Sequence, residues 1–220
     1  MLHRFATMTA AWLIAVLACA GVAYAGGATK ATKDSAAASA RSGQTAVATF
    51  AAGCFWCTES DFDKVSGVIA TVSGFMGGHV PNPTYRQVVR GYTGHTEVLQ
   101  VTYDPAKVSY EKLLEVFWRN VDPFDKHGQF CDRGSQYRPE IFVHTSQQRN
   151  LAETSKARLI ASRRFKQKII VPVTDASAFT AAEDYHQDFY LKNPAHYWRY
   201  RIGCRRDQRL EQIWGPKAKS

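Results

Sequence analysis

Two of the five cysteines in the chain sit where nucleophilic chemistry is easiest to start. In Gly53-Cys54-Phe55-Trp56-Cys57-Thr58-Glu59 a run of β character ends and a helix begins. A thiol at such a junction faces unpaired backbone N–H groups and the positive end of the helix dipole, which favours thiolate. Gly53 suits a sharp turn, and Phe55 and Trp56 set apolar surface beside the sulfur. The pair Cys54/Cys57 reads as a nucleophile with a second thiol nearby, as the redox pair of a thiol-disulfide oxidoreductase, as half of a zinc site, or as buried packing. No second closely spaced Cys or His pair completes a zinc site, so no metal is expected. A secreted module whose aromatic pocket binds a ligand is the non-enzymatic alternative.

A carboxyl group is the second candidate. Over 96–104 the two-residue period of a strand puts Glu97, Leu99, Val101 and Tyr103 on one face. Glu97 then shares a side with core residues, where desolvation raises a carboxyl pKa and keeps an acid able to donate a proton near neutrality.

The elements that must position these groups follow from periodicity. Strands are predicted at 46–51, 68–74, 96–104 and 139–144, and helices at 54–64, 109–120 and 146–162. A Gly- and Pro-rich loop fills 77–94. Ser109 can cap the helix that carries Tyr110, Leu113, Leu114 and Phe117 on one face. The order is a split β-α-β-β-α-β arrangement, an α+β, ferredoxin-like mixed sheet with helices packed on it. A strand at 168–174, a helical segment at 180–191 and a loop-rich C-terminal tail complete the domain, placed at 46–216.

Several further segments join the first: Gly74-Phe75-Met76-Gly77-Gly78, Asn82-Pro83-Thr84-Tyr85, Gly94-His95-Thr96-Glu97, Tyr103-Asp104-Pro105, Asp132-Arg133-Gly134-Ser135-Gln136-Tyr137-Arg138 and Ala182-Glu183-Asp184-Tyr185-His186-Gln187. With Gly53-Cys54-Phe55-Trp56 in this order, the chain resembles the peptide methionine sulfoxide reductase A family from about Ala46 to Trp214. The resemblance implies reduction of the S epimer of methionine sulfoxide, in proteins and as the free amino acid. It assigns the attack to Cys54 and the acid to Glu97, and makes Tyr85 and Tyr137 the donors that hold the sulfoxide oxygen. Phe55 and Trp56 would embrace the S-methyl group, with Asp132 and His186 orienting the site. The enzyme-bound product would be a sulfenic acid on Cys54, which a second thiol converts to a disulfide.

The second thiol has three candidates. Cys57 lies on the same helix face, where neighbours are about 5–6 Å apart at Cβ, whereas a disulfide wants about 3.5–4.5 Å. Cys204, in Ile202-Gly203-Cys204-Arg205, matches the family's habit of resolving through a C-terminal cysteine and is the preferred partner, with Cys57 next. Cys131 beside Asp132 is the third. Two departures from the family pattern stand out: Cys57 where glycine is commoner, and Phe75-Met76 where Tyr-Thr is common.

Residues 1–25 hold one charge, Arg4, an apolar run from Ala10 to Val22, and Ala23-Tyr24-Ala25. This reads as a secretory signal peptide cleaved near Ala25, followed by a flexible linker at 26–45. An uncleaved anchor and lipid attachment at Cys19 are the other readings. The expected location is periplasmic or secreted. Removing one Arg from 28 basic against 19 acidic residues leaves a net charge of +8. The excess, clustered at 163–168 and 199–209, reads as a solvated basic face without a nucleic-acid motif. A monomer is expected, with oxidised proteins and free methionine sulfoxide as substrates. The resemblance implies no metal or organic cofactor. A thioredoxin-like donor (dithiothreitol in vitro) would restore the thiols, because an oxidising compartment does not.

Overall fold

A computed structural model describes residues 43–216; the signal-peptide and lipidation readings, and nearly all of the linker, lie outside them. Strands β1 (Ala46–Ala51), β2 (Val68–Met76), β3 (Thr96–Tyr103), β6 (Glu140–Val143), β7 (Val173–Asp175) and β8 (Thr180–Ala181) form one sheet in the order β7-β6-β1-β3-β2-β8. Its centre, β6-β1-β3-β2, is antiparallel throughout, and β7 joins in parallel to β6. Two further short strands, β4 (Gly128–Gln129) and β5 (Asp132–Arg133), pair with each other.

Helix α1 (Phe55–Phe62) connects β1 to β2, and α3 (Tyr110–Arg119) connects β3 to the segment leading to β6. The predicted split arrangement is therefore the core of the domain. Ser109 caps α3 by accepting the Lys112 N–H at 3.2 Å, and the helix buries Tyr110, Leu113, Leu114, Phe117 and Trp118. These residues meet Phe50, Leu99 and Val101 from the sheet. The Phe50 ring stacks on Phe62 at 5.1 Å and on Phe117 at 5.4 Å. Burying each such ring contributes about 1.5–3 kcal/mol. Helix α4 (Ser146–Ala161) is fastened by Gln148, whose Nε2 donates to Val47 O at 2.7 Å.

Three local expectations change. The loop 77–94 contains α2 (Tyr85–Val89), started by a reciprocal cap between Thr84 and Gln87. The strand expected at 168–174 is confined to Val173–Asp175. Pro172 has no N–H to give to a ladder, although its carbonyl accepts Ile141 N–H at 3.0 Å. The helical segment expected at 180–191 divides into β8, a 3-10 turn at Asp184–His186 and α5 (Phe189–Lys192). Asp188, at φ 52°, breaks the helical run. Two more short helices, α6 (Pro194–Gly203) and α7 (Arg206–Trp214), follow in the C-terminal stretch.

Candidate active site

The nucleophile candidate occupies the corner between β1 and α1. Gly53 has φ +84°, and a Cβ there would stand 2.6 Å from Gln129 Cβ. Glycine is therefore required by conformation and by space. Cys54 caps α1, with its carbonyl accepting the N–H groups of Cys57 and Thr58 at 3.2 Å each. Its side chain is 6 % exposed, and that of Cys57 is 1 % exposed. The two thiols are free and shift one another's ionisation.

Burial pushes the Cys54 thiol well up, reinforced by Cys57 and, whenever they are ionised, by the Glu97 and Asp132 carboxylates. The helix terminus alone suggested the opposite. Among the described residues no cation offsets this desolvation, so Cys54 rests as a thiol. Cys57 moves down, because Cys54 donates to it and because Arg206 and Arg201 lie on its side.

Glu97 meets Cys54 through the backbone. Its Oε2 accepts the N–H of Phe55 at 3.0 Å, and the side chain is buried. The β2–β3 register sets Phe75 opposite Glu97, and Phe75 also packs against Phe55 at 5.9 Å between ring centres. An aromatic floor thus strips water from the carboxyl. Burial drives its pKa well above the usual carboxylate range, opposed by the Phe55 N–H and reinforced by Asp132. Phe75, a departure from the family pattern, supplies this dry surface where a hydroxyl would have brought polarity.

Tyr85 begins α2 and Tyr137 ends the 3-10 turn Ser135–Tyr137, so two separate loops bring phenols to the same place. Both phenols are raised by burial first and then by Glu97, and Cys54 contributes to each. Phe55 lies 6.2 Å from Tyr85 and 5.0 Å from His186, ring centre to ring centre. Trp56 Nε1 donates to His186 Nδ1 at 3.0 Å, which requires a neutral imidazole at that nitrogen. Burial lowers the His186 pKa to about 4, opposed by Glu183. Glu183 also accepts the Tyr85 N–H at 3.1 Å, holding the start of α2 against the His186 turn.

Asp132 lies half-buried at the rim, and burial raises its pKa. Its carboxylate accepts the Tyr200 hydroxyl across 68 residues of sequence. The Tyr200 ring stands edge-on to Trp56 at 5.8 Å, and its phenol is raised by burial and by Cys54. Sequence reading missed Tyr200, since nothing in local spacing links it to Asp132. The hint available was its helical spacing from Tyr197, which also packs against Cys57.

The basic cluster at 199–209 is not wholly a solvated face. Arg201 and Arg206 are 3 % and 1 % exposed. Arg201 pairs with Asp61 at 3.1 Å and with Asp207 at 2.6 Å, and Arg206 donates to the carbonyls of Ala52 and Asn120 at 3.1 and 2.7 Å. These buried cations support the Cys57 side of the corner.

The structure therefore brings Cys54, Cys57, Glu97, Tyr85, Tyr137, Asp132, Phe55, Trp56 and His186 into one region. Cys204, the preferred second thiol, lies at the edge of this region. It caps the end of α6 and is disulfide-bonded to Cys131, with Cα atoms 4.9 Å apart. Among the described residues, Cys131, Asp132 and Cys204 have ligand atoms close enough to share an ion, yet the two sulfurs are already bonded together.

The sequence profile of the family described as Peptide methionine sulfoxide reductase matches residues 46–218. The chain is 52% identical over 167 residues to "Peptide methionine sulfoxide reductase MsrA" of Listeria monocytogenes serotype 4a, covering 76% of this chain and 94% of the relative. It is 52% identical over 171 residues to the protein of the same name from Bacillus subtilis, covering 78% and 97%. Among solved structures it is similar to Mxr1 of Saccharomyces cerevisiae in reduced form, with TM-score 0.65, 30% identity and coverage of 69% of this chain and 87% of that one. Methionine sulfoxide reductase A of Corynebacterium diphtheriae aligns with TM-score 0.60, 33% identity and coverage of 69% and 77%.

Proposed function

This chain belongs to the peptide methionine sulfoxide reductase family, and we propose that it reduces the S epimer of methionine sulfoxide at Cys54, in proteins and as the free amino acid. The observation that carries the assignment is the placement of a buried, protonated Glu97 on the backbone N–H next to the Cys54 corner. A sulfoxide lying with its methyl group on Phe55 and Trp56 directs its oxygen towards Glu97, Tyr85 and Tyr137. Glu97 gives its proton to that oxygen, and the two phenols hold the charge that develops there. The Cys54 sulfur bonds to the substrate sulfur as it attacks, and its thiol proton passes to the Glu97 carboxylate, which restores the acid. The net step moves one oxygen to Cys54, which becomes a sulfenic acid while the substrate becomes a thioether.

Cys57 then attacks the sulfenic sulfur, giving a Cys54–Cys57 disulfide and water. Its place beside Cys54, its lowered pKa and the engagement of Cys204 with Cys131 all favour Cys57 as the resolving thiol. A thioredoxin-like dithiol returns two electrons and two protons to restore the pair. Asp132 and His186 position Tyr200 and Trp56 respectively. The segment 1–25 exports the chain to the periplasm or beyond.

A thiol-disulfide oxidoreductase would give Glu97 and the phenols no task. The test is Glu97→Gln: sulfoxide reduction should fall by about 10²-fold or more, while any reduction of insulin disulfides stays unchanged. Equal loss of both activities would contradict the assignment of the acid.

A further inference from the structure

The site leaves one sulfur pair unused. Cys131 is exposed and Cys204 partly so, in contrast to the buried Cys54 and Cys57. The bond between them closes a separation of 73 residues. It joins the residue preceding β5 to the end of α6. The same two segments also supply Asp132 and Tyr200: Asp132 follows Cys131, and Tyr200 lies one helical turn before Cys204, whose N–H donates to the Tyr200 carbonyl at 2.9 Å. The covalent bond and the Tyr200–Asp132 hydrogen bond therefore run side by side. Cys131 Sγ lies 3.8 Å from Asp132 Oδ1, so the sulfur touches the carboxylate itself.

We propose that the Cys131–Cys204 disulfide is a second redox site, a surface bond opened by dithiol exchange that fixes Asp132 and Tyr200 beside the Cys54 pocket. The proposal rests on the reading that this pocket reduces sulfoxides. Opening breaks one S–S bond: a dithiol reductant gives two electrons and two protons to the sulfurs and leaves as its own disulfide. The reverse exchange with an oxidised dithiol closes it. A cavity of about 440 Å³ is lined by Cys204 together with Phe124, Phe130, Arg205 and Arg209. It gives such a reductant a way in.

Opening changes Asp132 in two ways. The end of α6, where Ile202 and Gly203 are exposed, loses its covalent tie to β5, and the Tyr200 hydroxyl remains on Asp132. The freed Cys131 thiol, beside Oδ1, competes with that hydroxyl or, once ionised, repels the carboxylate. The start of α7 stays anchored by Arg206, which also lies over the Phe130 ring at 4.4 Å. The domain thus stays folded while the Asp132–Tyr200 arm loosens.

The test measures single-turnover methionine formation, without added reductant, by wild-type protein with the surface bond closed, by wild-type protein with it selectively opened, and by Cys131→Ser/Cys204→Ser. Alkylation and mass spectrometry verify each sulfur's state, and the rate of Cys54 alkylation is followed in parallel. Opening or removing the bond should slow methionine formation about tenfold, as displacement of positioning groups does, with one methionine per chain. In an Asp132→Asn background the same removal should have less than about a twofold effect, because the arm is already uncoupled. An unchanged rate with loss of stability only would overturn the proposal. So would an undiminished effect in the Asp132→Asn background, or two methionines per fully reduced chain, which would make the pair an electron reserve. If no form makes methionine but opening the bond shifts Cys54 alkylation severalfold, the positioning role stands and the reductase reading falls. If neither moves, the positioning role falls as well.

Discussion

Glu97 Oε2 accepts the Phe55 backbone N–H at 3.0 Å, tying the acid to the residue that follows the nucleophile. Burial outweighs this bond and holds Glu97 protonated well above the usual carboxylate range. The rate of methionine formation should therefore be flat on the acid side and fall as pH rises through the elevated Glu97 pKa. A single-turnover pH profile checks this, and Glu97→Gln should lack that limb. A wild-type rate that rises throughout with pH would mean that thiol ionisation alone controls the step.

Cys54 and Cys57 are free thiols three residues apart, while Cys131 and Cys204 are bonded to each other. After one turnover without reductant, peptide mapping should find a Cys54–Cys57 disulfide with Cys131–Cys204 unchanged. Cys57→Ser should still release one methionine and accumulate a sulfenic acid on Cys54 that a dione reagent captures. A Cys54–Cys204 link would restore the tail cysteine as the resolving thiol.

His186 holds Trp56 only while its Nδ1 is unprotonated. Its pKa is lowered from 6.5 to about 4 by burial. The stability it contributes is present above its ordinary pKa and is lost as pH falls through about 4. Substrate binding should weaken over the same range. His186→Phe removes the acceptor and leaves the indole N–H unpaired at about 1–3 kcal/mol, so KM for a sulfoxide peptide should rise roughly tenfold with a smaller change in kcat. An unaltered KM would show that the Trp56 orientation is set elsewhere.

Glu59 on α1 is buried with one carboxyl oxygen lacking a partner. Burial raises its pKa from 4.5 to about 7, opposed by a backbone N–H from Asp188. Because the folded value is raised, its contribution is complete below the ordinary pKa and is lost as pH rises through about 7. Glu59→Gln should flatten urea-derived stability over that window and stabilise the protein by on the order of 1–2 kcal/mol on its alkaline side. An identical pH dependence in wild type and variant would show that Glu59 is not the titrating group.

The sequence disclosed what is local. A two-residue period placed Glu97 on the inward face of β3, and a glycine before Cys54 marked the β1–α1 corner. Ser109 and the periodic Tyr110, Leu113, Leu114 and Phe117 located α3. The parts it hid are long-range. Tyr200 reaches Asp132 from 68 residues away, and the pairing of Cys131 with Cys204 depends on where α6 ends. Arg201 and Arg206 belong to an outwardly ordinary basic cluster, and only the fold reveals Asp61 and the carbonyls of Ala52 and Asn120 as their partners. The Cys54 pKa misled for a related reason. A helix terminus can be read from sequence, whereas the desolvation that overrides it depends on what covers the corner.

The most direct measurement presents the fully reduced protein with the two separated epimers of one methionine sulfoxide peptide, in single turnover and then with dithiothreitol. The S epimer should give one methionine per chain and continued turnover once dithiothreitol is added, with no product from the R epimer and none from Cys54→Ser. Equal consumption of both epimers, or undiminished product from Cys54→Ser, would contradict the proposed function.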